Sequence, residues 1–160
     1  MAEVLRPSRL TELAGMVGEA AATRQPLEVR GTGTKQVLGR PMQTAATLEL
    51  SGFAGIDIYE PEELVLEAGA GTPIHEIESA VAEKNQQLAF EPPDLSRLLG
   101  GSHAGTLGGV IACNLSGPRR IKAGAARDFA GQPSFASTGA DNSVTVLSGR
   151  PVNFDFDGDR

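Results

Sequence analysis

The sequence has few aromatic residues and almost no cysteine. Tryptophan is absent, tyrosine occurs once and phenylalanine six times among the 160 residues. A hydrophobic core must therefore depend mainly on aliphatic side chains. The single cysteine, Cys113, excludes a disulfide within the chain and is typical of proteins from a reducing compartment. We expect a small cytoplasmic domain that disulfides do not stabilise.

Long apolar runs and an excess of basic residues are also missing. No segment approaches the ~20 consecutive apolar residues that a membrane-spanning helix requires, and residues 1–9 do not resemble a signal peptide. Lysine and arginine number 14 against 20 aspartate and glutamate residues, which gives a net charge of −6. Because nucleic acid attracts basic surfaces, we expect neither a nucleic-acid partner nor a membrane span.

Glycine, by contrast, is abundant, with 20 residues, and it is concentrated in two loops that also carry threonine. Loop 1 consists of Arg30, Gly31, Thr32, Gly33, Thr34 and Lys35, and loop 2 of Gly105, Thr106, Leu107, Gly108 and Gly109. Glycine permits positive φ angles and close approach of a ligand, and turned backbone N–H groups bind phosphate. The pair of loops indicates a ligand with more than one phosphate. Each loop alone is equally consistent with a tight surface turn.

The common fingerprints of nucleotide-binding loops are not matched. A P-loop requires a longer spacing before its Gly-Lys-Ser/Thr than loop 1 has, and a Rossmann loop requires a third glycine where Gln36 stands. No Ser/His/Asp arrangement, paired acid and base or metal-binding cluster is apparent. We therefore assign no catalytic residue and no metal ligand, as is expected where a bound cofactor supplies the chemistry.

Local patterns predict a βαβ arrangement at the start of the chain. Residues 4–7 and 27–29 are typical of short strands, and an apolar stripe from Leu10 to Ala21 predicts the helix between them. The second strand leads directly into loop 1, and ligands of open α/β sheets gather beyond the carboxyl ends of strands. Further strands are predicted at 47–50, 55–59 and 63–68, the last two paired with each other.

Two longer helices are predicted together with their N-caps. Ser8 precedes the first helix, and Thr72 precedes a second apolar stripe that begins at Ile74. Hydroxyl side chains at such positions accept hydrogen bonds from the first turn, and Pro73 suits the first helical position. A third, short helix is predicted from Leu107 onward, packed beneath loop 2.

Three further stretches carry a resemblance to a known family. Residues 26–31, 88–94 and 114–128 are similar to the FAD-binding subunits of bacterial glycolate oxidases, within the vanillyl-alcohol oxidase/p-cresol methylhydroxylase (PCMH) class. The resemblance implies an α+β fold, an incomplete PCMH-type FAD-binding domain. Its N-terminal βαβ subdomain is followed by part of a second mixed α/β subdomain. We expect the FAD-binding domain at 1–128 and an atypical tail at 129–160.

The resemblance also implies that FAD is the cofactor and that the two loops hold it. Backbone N–H groups of loop 1 would bind the pyrophosphate, and loop 2 would pack on the pyrophosphate and the flavin side. Asn114 and Ser116 lie where the family lines the cofactor channel. Arg30 either touches the cofactor or stabilises a loop carbonyl. A phosphate-binding domain for another nucleotide is the weaker alternative.

An oxidoreductase of the glycolate oxidase type is the activity that the resemblance implies, with oxidation of a 2-hydroxy acid to the 2-oxo acid. Its partners would be a second flavin subunit and an iron–sulfur subunit. Such a complex places the chain in the cytoplasm, with the inner face of the membrane reached only through partners. Arg119, Arg120 and Lys122 are either solvated, or meet an acidic partner or the substrate carboxylate. The alternative is a non-catalytic binding or assembly module without functional FAD.

The tail at 129–160 departs from the family pattern. It is mostly polar loop material, with one strand predicted at 144–147. Either a frameshift or a genuine short variant accounts for this departure, and the tail is expected to be poorly ordered. Because the recognisable pattern ends at Asp128, we expect the chain to be inactive by itself.

Overall fold

A computed structural model of the protein describes residues 3–101 and 105–131, together with the backbone of 135–138 and 144–147. The elements in these ranges are β1 (Glu3–Leu5), α1 (Leu10–Thr23), β2 (Leu27–Arg30), β3 (Ala46–Glu49), β4 (Ile56–Glu60), β5 (Val65–Ala68), α2 (Ile74–Ala82), α3 (Ser96–Leu99), α4 (Leu107–Ala112), α5 (Arg120–Ala123), α6 (Ala126–Phe129), β6 (Phe135–Thr138) and β7 (Val144–Leu147). In the described part of the chain, no helix is both long and apolar enough to cross a membrane.

The first three strands form a parallel sheet in the order β1-β3-β2. This arrangement confirms the predicted βαβ unit, with β3 inserted between its two strands. Ala46, Thr47 and Leu48 of β3 are buried because β3 is the central strand. Since the strands are parallel, their carboxyl ends share one edge of the sheet. Loop 1 leaves the sheet at this edge.

The second sheet is the predicted antiparallel hairpin, formed by β4 and β5. A turn at residues 61–64 connects the strands, and Tyr59 lies opposite Leu66. The Tyr59 hydroxyl donates to Gln86 Oε1 at 2.6 Å, and Gln86 Nε2 donates to the carbonyl oxygen of Pro61 at 2.7 Å. These two hydrogen bonds attach the hairpin to the segment that follows α2.

The hydrophobic core lies between this hairpin, α2, α4 and α6. Its buried members are Leu66, Ile74, Ile77, Val81, Leu88, Phe90, Leu107, Val110 and Ala126. Aliphatic side chains dominate, as the sequence predicted. One aromatic residue joins them, since Phe90 is only 1% exposed and stacks on Phe129 with ring centroids 6.0 Å apart. Leu107, the middle residue of loop 2, is one of these buried residues, so the core anchors loop 2.

Neither predicted N-cap forms. Helix α1 begins at Leu10, and Ser8 instead donates its N–H and its hydroxyl to Glu12 Oε2, at 2.8 and 3.1 Å. Helix α2 begins at Ile74, and the buried Thr72 hydroxyl accepts from the Gly55 N–H at 2.9 Å. The two cap predictions were wrong because neither hydroxyl accepts a hydrogen bond from a backbone N–H of its helix: that of Ser8 donates to the Glu12 side chain, and that of Thr72 bonds to the loops at Gly55 and Gly69.

The strand predicted at 144–147 is present as β7, and it pairs in antiparallel fashion with β6, which was not predicted. The resulting hairpin lies against α1. Residues 132–134, 139–143 and 148–160 lie outside the described residues. The domain boundary at 128 and the frameshift hypothesis therefore stay predictions.

Candidate cofactor-binding site

The fold brings the two glycine-threonine loops into direct contact. A Cβ placed on Gly31 would lie 2.5 Å from Thr106 Oγ1 and 3.0 Å from Thr106 Cγ2. A Cβ on Gly105 would lie 3.0 Å from Thr34 Oγ1 and 3.1 Å from Lys35 Nζ. At Gly31 a larger residue would displace Thr106, and at Gly105 the φ of +107° is a conformation that glycine adopts without strain. Two loops that are distant in sequence therefore form one surface.

Loop 1 offers a set of unused backbone donors. Among the described residues, no group accepts a hydrogen bond from the N–H groups of residues 31–35. Gly33 has a φ of +74°, a conformation that glycine adopts without strain, and it turns the chain between Thr32 and Thr34. The half-buried Lys35 places its ammonium group beside Thr34, with Nζ 3.5 Å from Oγ1. Turned N–H groups next to a cation fit a phosphate-bearing ligand.

Three of the five N–H groups of loop 2, in contrast, donate within the protein. The N–H of Leu107 donates to the carbonyl oxygen of Thr72 and that of Gly108 to Ala70, both at 2.8 Å. The N–H of Gly109 donates to Thr106 Oγ1, the N-cap of α4, at 3.4 Å. The N–H groups at the start of α4 are thus paired within the protein, whereas those of residues 31–35 have no acceptor in the described structure.

Asn114 and Ser116 hold the first turn of α6. Asn114, at a φ of +47°, accepts through Oδ1 from the Arg127 N–H at 3.1 Å. Ser116 Oγ accepts from the Ala126 N–H at 2.8 Å, and Asp128 Oδ2 accepts from the Ala125 N–H at the same distance. The two predicted channel residues are thus brought together, with their side-chain oxygens directed to α6. Their contact with a cofactor stays a prediction.

Arg30 is paired with a residue that the sequence analysis missed. Its Nη2 and Nε donate to Glu49 Oε2 at 2.8 and 3.2 Å, while Arg6 Nε and Ser51 Oγ donate to Oε1, both at 3.0 Å. Hydrogen bonds from Arg6 and Arg30 lower the pKa of Glu49 to about 2. No local pattern marks Glu49, because its two arginine partners lie 43 and 19 positions away. Direct contact of Arg30 with the cofactor stays a prediction.

The basic segment after loop 2 is fixed at one point. Arg119 Nε donates to Glu91 Oε1 at 2.7 Å, and a Cβ on Gly117 would lie 2.6 Å from the Cβ of Glu91. Arg120 and Lys122 are exposed. Of the three predicted basic residues, one therefore joins two loops and two face solvent. Within the ranges described above, no group of His, Cys, Asp and Glu residues could hold a metal ion.

Comparison with known protein families identifies the family of the chain. A family model described as "FAD binding domain" matches residues 1–132. The chain belongs to this FAD-binding domain family. FAD is the cofactor that the family binds, as the sequence predicted, and the match includes both loops.

Among characterised proteins, the FAD-binding domain described here is similar to glycolate oxidase subunit GlcE from Escherichia coli (strain K12). The two sequences are 42% identical over 113 residues. The alignment covers 71% of this chain but only 30% of GlcE. The chain thus spans less than a third of the length of this relative.

Solved structures share the fold of this chain. CrmK, a flavoenzyme involved in shunt product recycling in caerulomycin biosynthesis, has a TM-score of 0.69 at 18% identity and covers 97% of this chain and 29% of its own. Alkyldihydroxyacetonephosphate synthase has a TM-score of 0.61 at 19% identity, covering 90% and 25%. These likenesses confirm the predicted PCMH-type FAD-binding fold, of which this mixed α/β chain contains part.

Proposed function

We propose that this chain provides the pyrophosphate-binding part of an FAD-binding subunit in a 2-hydroxy-acid oxidoreductase of the glycolate oxidase type. Membership of the FAD-binding family and the similarity to GlcE support the type of subunit. The observation that carries the assignment of the site is the row of unused N–H groups in loop 1, beside Lys35.

Loop 1 would hold the two phosphates through the N–H groups of Thr32, Gly33 and Thr34. Hydrogen bonds to charged oxygens are stronger than neutral ones, and the Thr34 hydroxyl adds a further donor. Lys35 supplies a positive charge next to these donors. The chain as a whole carries a charge of −6, so a local cation is needed to offset repulsion of an anionic ligand.

Loop 2 would act by holding loop 1 in place. Gly105 and Thr106 contact loop 1 directly, while the N–H groups of Leu107 and Gly108 fix loop 2 to the segment before α2. Gly109 has open space around a Cβ except for Thr106 Oγ1 at 3.4 Å, so the cofactor can approach its backbone closely. Asn114 and Ser116 would border the channel while they hold α6.

FAD, when bound, supplies the two-electron oxidation of the hydroxy acid, and the protein supplies binding and orientation. The proposal includes a second flavin subunit and an iron–sulfur subunit as partners, in line with the subunit status in the name of GlcE. It also places the complex in the cytoplasm, with any membrane association made through those partners.

Two glycines with similar backbone angles provide the test. Gly33 has a φ of +74° and Gly39 a φ of +88°, and a Cβ on Gly39 meets nothing within 4 Å. Alanine at either position incurs a similar backbone strain of about 1–2 kcal/mol. Only Gly33→Ala changes the proposed phosphate site, so the comparison separates cofactor binding from general destabilisation.

The measurement is a titration of the purified chain with FAD, followed by flavin fluorescence, with ADP and FMN as competitors. We expect the wild-type chain to bind FAD, ADP to compete and FMN to bind more weakly, since FMN lacks the pyrophosphate. Gly33→Ala should weaken FAD binding and Gly39→Ala should not. A chain that takes up no FAD would contradict the proposal and favour the non-catalytic module. Equal weakening in both variants would show a general destabilisation and would contradict the assignment of the site to loop 1.

A further inference from the structure

We propose that Glu49 is a positioning residue for loop 1: by holding Arg30, it fixes the conformation in which loop 1 meets the pyrophosphate. This inference rests on the proposed function, because it assigns a role toward the same ligand. It concerns a carboxylate whose hydrogen bonds to loop 1, within the described structure, all come from the Arg30 side chain.

The geometry begins at the carboxyl edge of the parallel sheet. Arg6 directly follows β1, Arg30 ends β2 and Glu49 ends β3, so the three side chains meet where the strands stop. The side chain of Glu49 is 16% exposed and that of Arg30 24%, whereas that of Arg6 is 67% exposed. The inner ion pair, between Arg30 and Glu49, is therefore shielded from solvent more than the outer one.

Arg30 transmits the position of Glu49 to loop 1. Its carbonyl oxygen accepts from the Leu50 N–H at 2.8 Å, so its backbone is fixed to the residue after Glu49. Its side chain then passes beneath the loop, with Cδ 3.7 Å from a Cβ placed on Gly33. Thr106 contacts Gly31 from loop 2. Loop 1 is thus held through Arg30 by the sheet and through Gly31 by loop 2.

The charges explain why a carboxylate is needed here. A guanidinium without a partner at the base of a phosphate loop would be attracted toward the phosphates and would pull the loop out of shape. Glu49 occupies two of its donors. Hydrogen bonds from Arg6 and Arg30 keep the pKa of Glu49 at about 2, so the carboxylate stays charged at neutral pH. The groups that face it in the described structure are Arg6, Arg30 and Ser51.

The experiment compares Glu49→Gln with Arg6→Gln in the full chain. Both changes remove ion pairs from the same cluster and should lower the midpoint of thermal unfolding. Only Glu49→Gln releases Arg30, so it alone should weaken the binding of FAD and ADP, by about tenfold, the loss expected for one charge-assisted hydrogen bond. Affinities are measured at a temperature at which circular dichroism shows each variant to be folded.

A substitution of Arg30 tests the same ion pair through the partner of Glu49. Arg30→Lys keeps the charge but loses the planar fork that bonds to Glu49, so it should also weaken binding. It keeps the inference testable if Glu49→Gln does not fold. The Glu49→Gln/Arg30→Lys double variant should bind no more weakly than the weaker single variant, because both changes act along one path.

Three results would overturn the inference while wild-type binding of FAD and ADP holds. They are unchanged affinity in Glu49→Gln, equal weakening in Arg6→Gln, and tighter binding in Glu49→Gln. The second would show a general effect of stability. The third would show that Arg30 contacts the phosphates itself once it is released. A wild-type chain that binds neither FAD nor ADP would instead contradict the proposed function.

Discussion

The contact between Gly31 and Thr106 allows a test of whether the two loops are packed against each other. A methyl group added by Gly31→Ala would lie 2.5 Å from Thr106 Oγ1 and 3.0 Å from Cγ2, which is closer than non-bonded atoms approach. Thr106 is 3% exposed and caps α4, so it has little freedom to move. Overpacking of this kind destabilises a protein by about 1–3 kcal/mol, and we expect a loss in that range.

Removal of the opposing side chain should reverse part of this loss. Thr106→Ala deletes Oγ1 and Cγ2, after which the nearest remaining atom, the Cβ of residue 106, is 3.3 Å from the new methyl group. By itself this variant loses an N-cap, at a cost of about 0.5–2 kcal/mol. The hydrogen bond to the Gly109 N–H is long, at 3.4 Å, so a value near the lower end is expected. The double variant should be more stable than the sum of the two single effects predicts.

Urea unfolding measures the stability of the wild-type chain, the two single variants and the double variant. Because the chain has no tryptophan whose fluorescence could report unfolding, the transition is followed by far-ultraviolet circular dichroism. Gly15→Ala is the control, since a Cβ there meets nothing within 4 Å and the residue lies within α1. It should stabilise the helix by up to about 1 kcal/mol and add independently to Thr106→Ala. Full additivity of Gly31→Ala with Thr106→Ala, or a Gly31→Ala variant as stable as wild type, would refute the packing argument.

Three further predictions concern acid stability, the hairpin and loop 2. The pKa of Glu49 is lowered from 4.5 to about 2 in the folded chain, so its contribution to stability is complete above 4.5 and is lost as the pH falls toward 2. Glu49→Gln should flatten the decline in urea stability over this range, and equal slopes in both proteins would contradict the assignment. Tyr59→Phe should destabilise the chain by about 1 kcal/mol because Gln86 Oε1 loses its donor, which thermal unfolding measures. Gly109→Ala should keep the circular dichroism spectrum of wild type and reduce FAD uptake, since its methyl group would meet only Thr106 Oγ1 within the described structure; unchanged uptake would remove Gly109 from the site.

Much of the fold was predictable because its signals are local. Alternating and helical apolar patterns located the βαβ unit, the β4–β5 hairpin and α2 to within a few residues. The short helices α3, α5 and α6 escaped prediction, since four residues are too few to show a period. The cofactor was predictable for a different reason, because glycine-threonine loops and three characteristic stretches identify the FAD-binding family.

The sequence by itself determined the strands and the main helices, the two loops and the identity of the cofactor. The tertiary structure decided which hydrogen-bond donors of the two loops are paired within the protein. It left the N–H groups of residues 31–35 unpaired in the described structure but directed those of Leu107 and Gly108 to carbonyl oxygens before α2. It also paired Arg30 with Glu49. These outcomes depend on contacts between residues that only folding brings together, so no local pattern of residues encodes them.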